Sequence, residues 1–147
     1  MKIELACQIN LLRFECIEVA KKYALARGVD RSFFNDQNDI AQSYSPAVFG
    51  FKNSSDLTSL VVYYPLSYEI GLWVKKEHRG KREGLSIFAA VIDKLANIEK
   101  IYRLYARVDK ISNPNTNAMR TILARTGFKK LALSSGHTPQ EAWLKEI

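Results

Sequence analysis

The chain has 147 residues, 47% apolar and 25% charged, with a net charge of +7: enough for a core without disulfides or metal. Two cysteines, Cys7 and Cys16, with no His or Cys near them at ligand spacing, exclude a disulfide framework and a zinc module. The charge is lopsided: residues 1–74 hold seven Lys/Arg against eight Asp/Glu, and residues 75–147 hold fifteen against seven, so the second half suits an anionic partner.

In chain order, Lys2 to Cys7 alternates as an edge strand. Ile9, Leu12, Cys16, Val19 and Tyr23 recur at helical spacing, with Glu18 and Lys22 as an i,i+4 pair and Gly28 as the stop. Cys16, on that apolar stripe, reads as a reduced core thiol. Residues 31–45 read as a second, more polar helix ending before Pro46. Ala47 to Phe51 is a short strand, followed by the turn Asn53-Ser-Ser-Asp56. Leu57 to Tyr64 and Tyr68 to Val74 are β-branched and aromatic strands separated by Pro65. Leu85, Phe88, Val91, Ile92 and Leu95 then share one helix face. Ile101 to Asp109 alternates again. Pro114 and its Asn and Thr neighbours start a helix whose inner stripe is Met119, Ile122, Leu123 and Thr126, with Gly127 as its end. Phe128 to Leu133 and Glu141 to Ile147 are the last strands, joined by a loop containing His137.

The stretch Val74-Lys-Lys-Glu-His-Arg-Gly-Lys-Arg-Glu-Gly84 links an apolar strand to an amphipathic helix. A strand, a basic turn with glycines and a helix start together form an anion site: backbone N–H groups converge there, and the helix adds roughly half a positive charge.

This stretch, together with Asn115-Thr-Asn-Ala-Met-Arg-Thr-Ile-Leu-Ala-Arg-Thr-Gly-Phe128 and the element order, resembles the GNAT superfamily of N-acetyltransferases. In that family a strand is followed by R/Q-x-x-G-x-G/A, and a later helix preceded by Asn closes on Gly-Phe. The resemblance implies a single GNAT-like α/β domain over residues 1–147, with a mixed, mostly antiparallel sheet of about seven strands and about four helices. It implies acetyl-CoA as co-substrate and an amine acceptor, a small molecule or a protein. The amides of Arg79, Gly80, Lys81, Arg82, Glu83 and Gly84, with Leu85 opening the helix, are then expected to hold the pyrophosphate. Trp73 and Val74 would run beside the pantetheine arm, and Asn115 or Asn117 would lie on its far side. Glu69, on the strand that lines the family's catalytic cleft, is the expected general base.

Three departures stand out. Arg82 replaces the motif's central Gly, which would cost about 1–2 kcal/mol if φ is positive there, unless the side chain gains a phosphate contact. Leu123 stands where the family often has a general-acid Tyr. The position eleven before Gly127 is Thr116, with an Asn on either side. Tyr64, Tyr68, Tyr102 and Tyr105 are substitute acids or packed sheet aromatics, Glu69 reads equally as a solvated strand-end carboxylate, and His78 and His137 read as exposed.

Two rival readings follow from the same residues. Arg82 and Leu123 raise a catalytically degenerate GNAT fold serving as a binding or structural module. Arg103, Tyr105 and Arg107, with Lys129 and Lys130, raise single-stranded nucleic acid, which the family arrangement disfavours because it covers that strand. Asp30, Asp36, Asp39 and Asp56 suit a cationic acceptor. Charges interrupt the apolar runs near the N-terminus and no segment reaches the roughly 20 apolar residues of a span, so no leader or membrane contact is expected. The expected compartment is the cytoplasm, and the expected state is monomer or homodimer.

Overall fold

The computed structural model describes residues 9–34, 45–52, 57–80, 82–131 and 140–147. Seven strands form one sheet: β1 (Ile9–Phe14), β2 (Ala47–Lys52), β3 (Ser59–Tyr64), β4 (Glu69–Val74), β5 (Arg103–Asp109), β6 (Lys129–Lys130) and β7 (Gln140–Glu146). Their order is β1-β2-β3-β4-β5-β7-β6, and every neighbouring pair is antiparallel except β4 and β5. The described residues hold three α-helices, α1 (Ile17–Leu25), α2 (Glu83–Lys94) and α3 (Pro114–Arg125), of the about four expected, and most of the fourth, over 31–45, lies outside the described residues. None is long and apolar enough to cross a membrane.

The sheet is buried on both faces, so its strands carry two apolar sets. On one face Val61, Tyr63, Ile70, Leu104, Ala106 and Val108 meet Ile87, Phe88 and Val91 of α2 and Leu123 of α3. On the other, Phe49, Leu60, Val62 and Trp73 meet Ile17, Ala20 and Ala24 of α1. Val61 and Val62, adjacent in sequence, thus serve opposite cores, as a period of two requires.

The same double burial explains the main correction. Ile9 to Phe14 is a strand paired with β2 from Ile9 opposite Lys52 to Phe14 opposite Ala47, not the start of a helix. Leu11 packs on one face and Leu12 on the other, and the apolar spacing that mimicked a helical stripe comes from both faces being covered. The helix begins only at Ile17. Its inward residues are Ile17, Ala20 and Ala24, while Val19 is exposed, and Glu18 pairs with Lys21 instead of Lys22. Cys16 is a free, half-buried thiol at this helix start, not a core residue. Arg31–Phe34 is a single 3₁₀ turn where a longer helix was expected. The expected strand over residues 2–7, the remainder of that helix, the turn over 53–56 and the loop with His137 lie outside the described residues. Of the strand expected over Phe128–Leu133, Lys129–Lys130 pair with β7 and Leu131 N–H donates to the Ala142 carbonyl, and residues 132 and 133 lie outside the described residues.

Candidate active site: a cleft between diverging strands

β4 and β5 run parallel but pair at one place, Glu69 opposite Tyr105, where Tyr105 N–H donates to the Tyr68 carbonyl at 2.9 Å. Tyr68 turns that carbonyl toward β5 from a left-handed backbone, φ +62°. Beyond this apex the strands continue to Val74 and Asp109 with no further pairing, and the sheet opens. Backbone parity fixes what faces the opening. Lys75 N–H donates to Thr58 on the β3 side and the Tyr68 carbonyl points to β5, so alternation turns the backbone groups of Leu72 and Val74 toward the gap. The Trp73 backbone faces β3, and its indole N–H reaches Asp30 at 3.2 Å.

The gap leads into a cleft of about 810 Å³, the size of a small-molecule site. Asp30, Ser32 and Phe33 form one wall, Leu72 to Val74 the floor, the start of α2 one end, and α3 the opposite wall. Every predicted cofactor residue except Lys81 can therefore be placed. Trp73, Val74, Arg79, Gly80, Arg82, Gly84, Leu85 and Asn115 line the cleft; Glu83 and Asn117 do not; Lys81 lies outside the described residues.

The turn before α2 is locked by side-chain contacts, two of them from residues that line the cleft. Arg79 Nε donates to the Val74 carbonyl at 2.9 Å, while Glu83 accepts from Thr58 Oγ1 at 2.8 Å and lies 3.0 Å from His78 Nδ1. Burial pushes the Glu83 carboxyl up, but the Thr58 and His78 hydrogen bonds, with the charges of His78 and Lys52, outweigh it and hold it below its ordinary value. Gly80 takes φ +82°, and Arg82, at the N-cap, takes φ +61° and ψ 7° with no side-chain cap. The positive φ expected to be costly for an Arg is adopted here. The first α2 amide bonded within the helix is Ser86, to Arg82 at 3.1 Å, so the Glu83, Gly84 and Leu85 amides have no acceptor in the helix itself. Gly84 sits at a close approach: a Cβ would stand 3.0 Å from Val74 Cγ2 and 3.3 Å from Leu72 Cδ2, so those side chains would have to give by a few tenths of an ångström. This open helix start, beside Arg79 and Arg82, fits a pyrophosphate.

The start of α3 differs. Asn113 Oδ1 accepts from Thr116 N–H at 2.9 Å, Thr116 Oγ1 accepts from Asn113 N–H at 3.0 Å, and Pro114 occupies N1. Asn117 is held by Arg120 Nη1 at 2.8 Å and by Ser112, outside the cleft. Arg120 also donates to the Asp109 carbonyl at 2.8 Å and to Glu141 at 3.0 Å, tying the β5–α3 loop to β7. Burial raises the Glu141 carboxyl, yet hydrogen bonds from Arg120 and Trp143 and the charges of Arg120 and Lys130 bring it below its usual value.

Ala118, Met119 and Ile122 face the cleft, whereas Leu123 is wholly buried in the core. Met119 and Ile122, expected on the helix's inner stripe, pack against the core as well as lining the cleft, and Asp30 was expected only as acid suited to a cationic acceptor; Ser32, Phe33 and Arg125 were not anticipated as cleft residues. The 115, 118, 119, 122 spacing was the available signal.

Glu69 stands at the apex but does not line the cleft. Arg107 grips it side-on, Nε to Oε2 at 2.9 Å and Nη2 to Oε1 at 3.0 Å. None of Tyr64, Tyr68, Tyr102 and Tyr105 lines the cleft. The Tyr68 and Tyr102 hydroxyls are 3.5 Å apart; that hydrogen bond and the Tyr102 charge, with slight burial, hold the Tyr68 phenol above its ordinary value against the pull of Arg103. His78 does line the cleft while paired to Glu83. Arg103, Tyr105 and Arg107 are all half-buried, with Arg103 stacked over Tyr102 at 4.9 Å.

No protein-family model and no curated protein sequence matches the chain. Solved structures do. A chimera of the spermidine N-acetyltransferase SpeG from Vibrio cholerae and hSSAT superposes with a TM-score of 0.62 at 13% identity, covering 95% of each chain. ElaA from Escherichia coli gives 0.61 at 17% identity, over 95% of this chain and all of that one. The IAA acetyltransferase from Bacillus cereus gives 0.61 at 11% identity with the same coverage. At these identities the likeness is one of fold alone, a mixed α/β fold with a seven-strand, mostly antiparallel sheet.

Proposed function

We propose that the protein is an N-acetyltransferase that takes an acetyl group from acetyl-CoA to an amine. The observation that carries this reading is the single β4–β5 pairing, which opens an 810 Å³ cleft directly onto an uncapped helix start. The pyrophosphate sits on the amides of Glu83, Gly84 and Leu85 with Arg79 and Arg82 beside it, and the pantetheine arm pairs with the backbone of Leu72 and Val74 near Asn115. Among the similar structures, the SpeG chimera is named a spermidine N-acetyltransferase; the acidity of Asp30 at the cleft is compatible with a cationic acceptor here too.

In the transfer, the amine nitrogen bonds to the thioester carbonyl carbon, the C–S bond breaks, and the amine proton passes to Glu69. A guanidinium held side-on takes one lone pair from each Glu69 oxygen, so the carboxylate accepts that proton through water at a remaining lone pair. With Leu123 buried and the four tyrosines off the cleft walls, the departing thiolate draws its proton from solvent.

Thiol release from acetyl-CoA with polyamines, peptides and aminoglycosides tests the reading, with Glu69→Gln as the control. Transfer is expected with at least one acceptor class, and Glu69→Gln should lower kcat roughly 10²- to 10⁴-fold. Full activity in Glu69→Gln would remove Glu69 from the mechanism. The Glu69–Arg107 pair favours one second reading, a non-catalytic CoA-binding module. Retention of CoA by native mass spectrometry without transfer to any acceptor would select it.

A further inference from the structure

The sheet face that carries Glu69 also carries, close by, a cation without an ion-pair partner. Leu104, Ala106 and Val108 of β5 point into the core, so Arg103, Tyr105 and Arg107 share the opposite face. Arg107 is bound to Glu69, but Arg103 pairs with no carboxylate among the described residues. Instead it sits among three tyrosines. Its guanidinium stacks over the Tyr102 ring at 4.9 Å, and its charge is felt at the Tyr68 hydroxyl, which lies 3.5 Å from that of Tyr102. A hydrogen bond to the Tyr105 side chain, with the charges of Tyr102, Tyr105 and Glu146, holds the guanidinium above its ordinary value against slight burial. Arg103 Nε, shielded from solvent, has no acceptor at all.

Resting on the acetyltransferase reading above, we infer that Arg103, with the hydroxyls of Tyr68 and Tyr102, binds a carboxylate carried by the acceptor, and that the acceptor class is amino acids rather than simple amines or polyamines. Glu69 does not line the cleft that takes the thioester, so an amine that reaches Glu69 arrives through the surroundings of Glu69 itself. Those surroundings are Tyr68, its neighbour in the chain, and Tyr105, its partner on β5. Arg103 lies two residues from Tyr105, about 7 Å along the strand, a distance that a small amino acid and a long Arg side chain bridge together. Every group of the cluster can donate a hydrogen bond and none is a carboxylate, which suits an anion and leaves an ammonium unmatched. Arg107 neutralises the Glu69 charge that would otherwise repel an incoming carboxylate. Arg103 is therefore a specificity residue.

Thiol release from acetyl-CoA with the free amino acids, each set against its own carboxamide, and with spermidine tests this. Each pair differs by one carboxylate; the amide has the less basic amine, so basicity alone would favour it. The parent should prefer at least one free acid over its amide by roughly tenfold or more in kcat/KM, the effect of one charge-assisted contact. Arg103→Met should raise KM for that acid about tenfold with kcat little changed, which brings the acid down to its amide. Arg103→Lys should restore part of the preference, and Tyr102→Phe should narrow it less than Arg103→Met. Transfer to amides or spermidine with no preference for any free acid would overturn the inference while leaving the acetyltransferase reading intact. An Arg103→Met loss shared equally by acid and amide would do the same. Transfer to no acceptor would overturn both. If Arg103→Met fails to fold, Arg103→Lys and the parent comparison still decide.

Discussion

Two helix starts face the same cleft and are built in opposite ways. α3 answers most of its own orphan amides: Asn113 holds the Thr116 N–H and Pro114 has no N–H to satisfy, which leaves Asn115 alone. α2 leaves its first amides open, sets an Arg in a left-handed conformation where a capping residue would stand, and commits the Glu83 carboxylate to Thr58 and His78 instead of to its own helix start. A helix that closes itself is structural there; one left open beside cations and a cavity is arranged for an anion. α1 shows why the cavity matters. It too lacks a side-chain cap at Cys16, but none of its residues lines the cleft, and its missing cap implies nothing.

The contrast can be broken most severely at Gly84. Gly84→Val drives methyls into Val74 and Leu72, so apo stability should fall by about 1–3 kcal/mol from overpacking. The stabilisation by acetyl-CoA, about 2.7 kcal/mol at a hundredfold excess over Kd, should vanish. Thermal melts with and without ligand measure both, and a Gly84→Val protein that keeps the full ligand shift would place the anion elsewhere.

Arg82→Gly separates strain from binding. Relief of the left-handed backbone should stabilise the apo protein by about 1 kcal/mol, while loss of the guanidinium should weaken CoA roughly tenfold. Denaturant titration and calorimetry should move in opposite directions. At the closed start the pattern reverses: Asn113→Ala should cost about 1 kcal/mol of stability with CoA affinity almost unaltered. The smallest effect is one of pH. Because the folded Glu83 carboxyl lies below its ordinary value, its stabilisation is present above the ordinary carboxylate range and lost as pH falls through the folded value. Stability of the parent should therefore fall more steeply on acidification than that of Glu83→Gln, as read from urea midpoints across acid pH.

The open helix start was legible because its signal is local: an apolar strand, glycines and cations in a short turn, then an amphipathic stripe. The strands β3, β4 and β5 were legible for the same reason. The Ile9–Phe14 strand was not, because burial on both faces breaks the alternation that marks a strand and leaves a spacing shared with helices. The α3 stripe was legible as inward-facing, but an apolar cleft wall and an apolar core write the same stripe, so the double duty of Met119 and Ile122, packed on the core and lining the cleft, was not. Asp30 and Phe33, brought against β4 by a 3₁₀ turn, and the Glu69–Arg107 pair, 38 residues apart, depend on tertiary placement that no local pattern encodes.

The central claim is that α2, and not α3, presents its amides to the phosphates of CoA. Backbone amide shifts recorded by NMR during titration with CoA test it residue by residue. The account predicts the largest changes at Glu83, Gly84 and Leu85, with further changes at Leu72 and Val74 and little movement of Thr116, whose N–H is already held by Asn113. Unchanged amides at Glu83 to Leu85 in the presence of saturating CoA, or a dominant change at Thr116, would contradict it.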